Sequence, residues 1–137
     1  MYKRQTGDCA GRALLRIGKI YTDYLKDPEK GMAAYQELLA KYGGSEQAVD
    51  AQFQVGQYLL KKGKYDQAAK AYEQFIYNYP RDEKVQEAMM AIARCHAARK
   101  DWAQALDAYQ RYLNKFPKGR FAPAARAQVE WIRTYHF

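Results

Sequence analysis

Small and apolar residues recur every three to four positions along most of this chain, which is the period of an amphipathic helix. The pattern predicts helices over residues 46–61, 65–78, 83–99 and 102–115. A looser pair precedes them: Ala13, Leu14, Ile17, Gly18 and Tyr21 form one stripe, and Met32, Tyr35, Leu38 and Leu39 form the next. A seventh helix is expected over residues 121–135. The chain is therefore predicted to be all-α, with its helices in antiparallel pairs.

The same residue types return at intervals of 37 positions. The register links Tyr35, Tyr72 and Tyr109; Ala51, Ala88 and Ala125; Leu39, Ile76 and Leu113; Tyr42, Tyr79 and Phe116; and Ser45, Asp82 and Gly119. Aromatic, small, apolar and helix-ending residues all share this frame, which is typical of a repeat protein. We divide the chain into units of about residues 10–43, 46–80 and 83–117, followed by a capping helix at 121–135.

Helix boundaries follow from local chemistry. Ser45 and Asp82 have side chains that accept hydrogen bonds from the first free N–H groups of a helix. Pro80 and Pro117 are expected to end the helices before them, because proline has no N–H and its ring clashes with the preceding turn. Pro28 is suited to open the second helix of the first unit, where the turn within the unit is one residue longer than elsewhere.

These units resemble the tetratricopeptide repeat (TPR) family. The resemblance lies in the pairs Ile17-Gly18, Val55-Gly56 and Ile92-Ala93, in the small residues Gly31, Ala68 and Ala105, and in the closing residues Gly43, Pro80 and Pro117. It implies a right-handed α-solenoid of three helix pairs plus a capping helix, with first helices lining a concave groove. The unit is three residues longer than the family's usual one, and we expect the first helices to be extended at their start.

The repeat length and the Tyr-Pro and Phe-Pro unit ends resemble bacterial cell-envelope members of the family. The most similar types are the TPR lipoprotein of the outer-membrane β-barrel assembly machinery and the periplasmic TPR partner of the Tol–Pal system. This resemblance implies a place in the periplasm or on the periplasmic face of the outer membrane. The alternative is a cytoplasmic protein, since the same spacing occurs in cytoplasmic members.

Composition narrows the class of protein. The chain has 137 residues, of which 48% are hydrophobic, as expected for one domain over residues 6–137. It has no apolar run long enough to span a membrane, so membrane association would need an N-terminal anchor or a partner. The net charge is +8 but is dispersed, which makes a nucleic-acid ligand less favoured than a protein ligand. Two distant cysteines provide neither a disulfide framework nor a zinc motif.

The first five residues, 1–5, resemble the translation of a transposon mosaic end used in sequencing libraries. We interpret them as a leader that is not native to the protein. Removing the charges of Lys3 and Arg4 with this leader would leave a net charge of +6. The native N-terminus, with any signal peptide or lipid anchor, would then be missing from this sequence.

The candidate binding residues occupy first-helix positions beside the predicted packing stripe. They are Arg16, Lys19, Phe53, Gln57, Lys61, Met90, Arg94 and Trp131. Gln57, Arg94 and Trp131 are 37 positions apart and should form a row, and the cations with Trp131 favour an acidic and apolar protein segment. The ordinary alternative for each is a solvated helix face, and Trp131 could instead cap the last unit.

No nucleophile–base arrangement, phosphate-binding loop or metal-ligand spacing is found, so we expect a non-catalytic scaffold without a cofactor or metal. Two other functions stay open: a basic solenoid that binds nucleic acid, and a TPR fragment of a larger enzyme. We interpret His96 as a core histidine, Cys95 as an inert thiol and His136 as part of a frayed tail.

Overall fold

In the computed structural model, residues 2–137 are described, with their side chains from Cys9 onward. Seven α-helices and one π-helical segment follow in order: α1 (Tyr2–Lys19), the π segment (Ile20–Tyr24), α2 (Pro28–Tyr42), α3 (Glu46–Lys61), α4 (Tyr65–Asn78), α5 (Val85–Ala98), α6 (Trp102–Lys115) and α7 (Ala122–His136). No strand occurs within residues 2–137, and the all-α prediction is confirmed. The predicted leader, residues 1–5, lies outside the residues whose side chains are described.

The chain forms two compact units, Met1–Val55 and Gly56–Phe137, which meet within α3. The first holds α1, α2 and the start of α3. The second holds the end of α3 with α4 to α7. Among residues 2–137, no helix is long and apolar enough to cross a membrane.

Three junctions between helix pairs share one backbone pattern. Ser45 N–H donates to the carbonyl of Tyr42 at 3.0 Å, and Ala48 N–H donates to that of Ser45 at 3.2 Å. The same two bonds recur 37 and 74 positions later, centred on Asp82 and Gly119. These positions therefore form turns, and α5 and α7 begin only at Val85 and Ala122. For α5 and α7 the expected extension at the start is wrong, because the residues before Val85 and Ala122 form the turn instead, whereas α3 begins at Glu46 as predicted.

The caps explain where the helices begin. The hydroxyl of Ser45 accepts a hydrogen bond from Ala48 N–H at 3.2 Å, so Ser45 caps α3 as predicted. Asp82 instead accepts from Lys84 N–H at 2.9 Å, one turn before α5 begins. Asp101 accepts from Gln104 N–H at 3.3 Å at the start of α6. Pro28 is the first residue of α2, as expected.

In the first unit, α1 and α2 cross at glycines. A Cβ atom on Gly31 would overlap Cγ2 of Thr22 and lie 2.9 Å from the carbonyl oxygen of Gly18. A Cβ atom on Gly18 would overlap the ring of Tyr35. The helices can approach this closely only because neither position carries a side chain.

The additional residue of the first unit forms the π-helical segment Ile20–Tyr24. Leu25 N–H donates to the carbonyl of Ile20 at 3.0 Å, five residues back. A π turn holds one residue more than an α turn, so the helix absorbs the insertion and keeps Thr22 against α2. Lys26 then adopts a positive φ of 51° before α2 begins.

One part of the predicted α1 stripe is wrong. Gly18 is buried and Leu14 is half-buried, but Ala13 is exposed and the side chain of Ile17 is 41% exposed. Gly11 and Gly18 face α2. A Cβ atom on Gly11 would lie 3.4 Å from the side chain of Leu38, and one on Gly18 would meet the ring of Tyr35. Helical periodicity marked Ala13 and Ile17 as apolar, but they lie on the other side of α1.

The core of the second unit is built from small residues and tyrosines. Ala93, Ala105, Tyr109 and Tyr112 belong to one buried cluster. The hydroxyl of Tyr112 donates to Oε1 of Gln86 at 2.8 Å and accepts from Phe121 N–H at 2.9 Å. This pair of bonds ties α6 to the start of α5 and to the start of α7.

Candidate partner-binding face

The predicted row is exposed in the second unit. Gln57 lies on α3, Arg94 on α5 and Trp131 on α7, and all three side chains reach solvent. Lys61, one turn beyond Gln57 on α3, is exposed as well. Helix α3 therefore presents an amide and a cation, α5 presents a second cation, and α7 presents an indole.

Two of the predicted binding residues are buried and are corrected. Phe53 is 4% exposed, and Met90 is 3% exposed. Met90 packs in the cluster that contains Ala93 and Ala125. Both positions adjoin the packing stripe in sequence, and their apolar side chains turn into the core. They belong to the fold and are not accessible to a partner.

In the first unit, the two predicted cations differ in environment. Arg16 is exposed on α1. Lys19 is half-buried, and its ammonium group lies 3.2 Å from a carboxylate oxygen of Asp50 on α3. Asp50 also accepts from the amide of Gln54 at 3.3 Å. The charge of Lys19 is thus already paired within the unit, which leaves Arg16 the more available cation.

Arg94 lies beside two buried tyrosines. Burial raises the pKa of the hydroxyls of Tyr72 and Tyr109, and the positive charge of Arg94 partly offsets the rise at both. Tyr72 packs on Gly56, where a Cβ atom would lie 2.9 Å from its ring. The positive charge of Arg94 is therefore close enough to both buried tyrosines to affect their hydroxyls. These tyrosines were predicted as packing residues, but their proximity to Arg94 was not.

Trp131 belongs to an aromatic cluster at the C-terminal end. Its ring lies 5.5 Å from that of Trp102 in an edge contact, and 5.7 Å from that of Tyr135. The imidazole of His136 stacks on Trp102 with ring centres 3.9 Å apart. His136 is therefore the last residue of α7 with an ordered contact, and its assignment to a frayed tail is wrong. Trp131 is 44% exposed, so it both covers Trp102 and offers a face to solvent.

The two other residues singled out in the sequence are on the same helix. Cys95 is fully buried, and burial raises the pKa of its thiol to about 11, in keeping with an unreactive cysteine. His96 is half-buried, and its Nδ1 atom is buried without a hydrogen-bond partner. It lines a cleft of about 330 Å³ between α4, α5 and α6, together with Ile76 and Met89. The repeat places Leu59 at the equivalent position, and this change from an apolar to a polar side chain was the sequence signal for the cleft.

Within residues 9–137, no group of three or more histidine, cysteine or acidic side chains could hold a metal ion. The chemistry on this face is accordingly that of recognition: hydrogen bonding by Gln57, charge from Arg94 and Lys61, and apolar contact with Trp131.

Comparisons with known proteins agree with the helical-repeat fold. A family model described as tetratricopeptide repeat matches residues 23–83 and 53–125. Among solved structures, the N-terminal domain of stress-induced protein-1 from C. elegans is similar, with a TM-score of 0.74 and 16% sequence identity. The match covers 89% of this chain and 95% of that chain, and at this identity it shows the fold alone. No curated protein sequence matches the chain.

Proposed function

Because this chain belongs to the tetratricopeptide repeat family, whose members are generally protein-interaction scaffolds, we propose that it is a non-catalytic adaptor that binds a protein segment. The binding surface is the row of Gln57, Arg94 and Trp131 on successive first helices. The observation that carries the proposal is that these three side chains recur every 37 residues and are all exposed. An exposed row in which each repeat supplies one contact residue suits an extended or helical peptide.

The chemistry of the row defines the partner. Arg94 and Lys61 supply positive charge, and Trp131 supplies a large aromatic face. Binding energy at protein interfaces concentrates in Arg and Trp near the centre of the contact. The expected ligand is therefore a segment that carries acidic residues together with apolar ones. Its carboxylates would pair with the exposed Arg94.

The proposed setting is a bacterial cell-envelope complex, either an outer-membrane assembly or a Tol–Pal-like one. Its support is the repeat length of 37 residues and the closing pairs Tyr79-Pro80 and Phe116-Pro117. The proposed location is the periplasm or the periplasmic face of the outer membrane. Fractionation of cells that express the native full-length gene tests it, and recovery only in the cytosol would overturn this setting.

The binding function is tested with a displayed library of random peptides selected on the parent protein. We expect selected sequences to be enriched in Asp and Glu next to aromatic residues. Affinity of the best peptide should fall about 30-fold in Arg94→Ala, since the loss of a central arginine at an interface costs about 2 kcal/mol or more.

Lys70→Ala is the matched control, because Lys70 is an exposed cation on α4, which is a second helix. It removes the same charge from a face outside the row and should leave affinity unchanged. Equal affinity of the peptide for the parent, Arg94→Ala and Lys70→Ala would reject the row as the binding surface.

A further inference from the structure

The first helix carries an apolar face that the fold leaves uncovered. Ile17 and Ile20 are 41% and 39% exposed, and Tyr24 is 80% exposed. With the exposed Ala13 they follow a spacing of four, three and four residues, which places them along one side of a helix. Gly18 contacts α2 from another side of the same helix. We call Ala13, Ile17, Ile20 and Tyr24 the α1 face.

The repeat shows what this face is. Counting 38 residues forward through the longer first unit, and then 37, gives the positions equivalent to Ala13, Ile17 and Ile20: Ala51, Val55 and Tyr58 on α3; Ala88, Ile92 and Cys95 on α5; and Ala125, Val129 and Ile132 on α7. All nine equivalent residues are buried or half-buried. In α1 and the π segment that continues it, all three positions are exposed.

In each later helix, the second helix of the preceding pair covers these positions. Ala51 and Val55 pack in one cluster with Leu38 of α2. Cys95 packs with Ala68 of α4. Val129 and Ile132 share a cluster with the tyrosines of α6. The α1 face is thus a stacking surface of the repeat.

The covering helix cannot come from residues 9–137 of the same molecule. Helices α2, α4 and α6 already pack on the first helices that follow them. A second copy of the chain has the same three helices occupied, so its α2, α4 and α6 are not available to cover the α1 face.

We propose that the α1 face docks the second helix of another TPR-type helix pair. The chemistry of that helix follows from α4, which presents Ala68 and Ala69 to Cys95. It should carry small residues at the crossing with α1. Its flank should be acidic, because Arg12 and Arg16 are exposed beside the α1 face. This surface is separate from the row of Gln57, Arg94 and Trp131, so each can fail without the other.

The test supplies such a helix in register. A copy of residues 46–82, which contains α3 and α4, is joined directly before Asp8 of the chain, so that the added Ala51 precedes Ala13 by 37 residues, as Ala51 precedes Ala88 in the parent. In the extended chain the added α4 should cover the α1 face. We expect amide hydrogen exchange in α1 to slow at least about tenfold, since stacking stabilises each repeat through its neighbour. Unchanged exchange in α1 would overturn the proposal.

Ile17→Glu with Ile20→Glu in the same extended chain is the control. Both side chains are substantially exposed in the parent, so the doubly substituted parent should keep its circular dichroism spectrum. In the extended form it should lose the protection of α1, while exchange in α5 stays as in the parent. Retained protection would mean that the α1 face is not what the added helix contacts.

Sedimentation of the parent protein tests whether a second copy of the chain covers the α1 face instead. We expect a monomer. A dimer that Ile20→Glu dissociates would identify a second copy as the occupant and reject the proposed TPR-type helix.

Discussion

Gly31→Ala tests the crossing of α1 and α2 by the sign of its effect. In an open helix this change stabilises, because alanine has a higher helix propensity than glycine by about 1 kcal/mol. At Gly31 the new methyl group would overlap Cγ2 of Thr22 and lie 2.9 Å from the carbonyl oxygen of Gly18. A backbone oxygen cannot rotate away, so the helices must separate.

The expected magnitude follows from the contacts that would have to change. Overpacking of a close helix contact costs about 1–3 kcal/mol. The hydroxyl of Thr22 donates to the carbonyl of Gly18 at 3.0 Å, and turning Thr22 aside would cost about 1 kcal/mol more. After the gain in helix propensity, we expect Gly31→Ala to lower the free energy of unfolding by about 1–3 kcal/mol.

Ala33→Gly on the same helix is the control, because Ala33 is exposed and its change reports helix propensity alone. It should cost about 1 kcal/mol. The assay is urea unfolding followed by far-UV circular dichroism, with the slopes compared between variants. If Gly31→Ala raised the free energy of unfolding by as much as Ala33→Gly lowers it, the close crossing would not exist.

Four further predictions concern the core of the second unit and the two cysteines. Ala105→Leu should lower the melting temperature, with a cost of about 1–3 kcal/mol, because Ala105 is fully buried; the exposed Ala103→Leu should leave it nearly unchanged. Tyr112→Phe should cost about 1–3 kcal/mol in urea unfolding, because the half-buried Gln86 side chain and Phe121 N–H each lose a hydrogen bond to its hydroxyl. Burial raises the pKa of Cys95 from 9.0 to about 11, so the unfolded thiol ionises first and its contribution to stability should be lost as pH rises from 9 to 11; Cys95→Ala should flatten that part of the profile. A thiol reagent should label the exposed Cys9 in the folded protein and reach Cys95 only on unfolding.

Helix boundaries could be predicted where the sequence has a capping residue or a proline close to the helix end. The bounds of α3, α4 and α6 coincide with the predicted helices, because Ser45, Pro80 and Pro117 act on the backbone directly beside them. The starts of α5 and α7 were predicted too early, because backbone hydrogen bonds close the turns before them and no side-chain type in the sequence indicates those bonds. Asp82 does accept a hydrogen bond, but within the turn, three residues before α5 begins.

Side-chain placement was harder to predict, because periodicity identifies an apolar position without identifying what covers it. Phe53 and Met90 have the spacing of surface positions and yet are buried. Ile17 has the spacing of a core position and is exposed. The π segment was signalled only by a turn that was one residue too long. Whether such a side chain is buried depends on helices that are close in space but distant in sequence.

The stacking positions and the row positions differ in how freely they vary between units, and this contrast bears on function. Four stacking positions in succession hold Ala13, Ala51, Ala88 and Ala125. The row positions in the same frame hold Gln57, Arg94 and Trp131, which share neither size nor charge. Packing explains the uniform set, because each of the three later alanines fits a closed helix crossing. Packing does not dictate the varied set, since its side chains reach solvent or only partly enter the core. Chemical variety on a regular scaffold is what recognition of a particular sequence requires, so the specificity of this protein is expected to lie in the row rather than in the helices that present it.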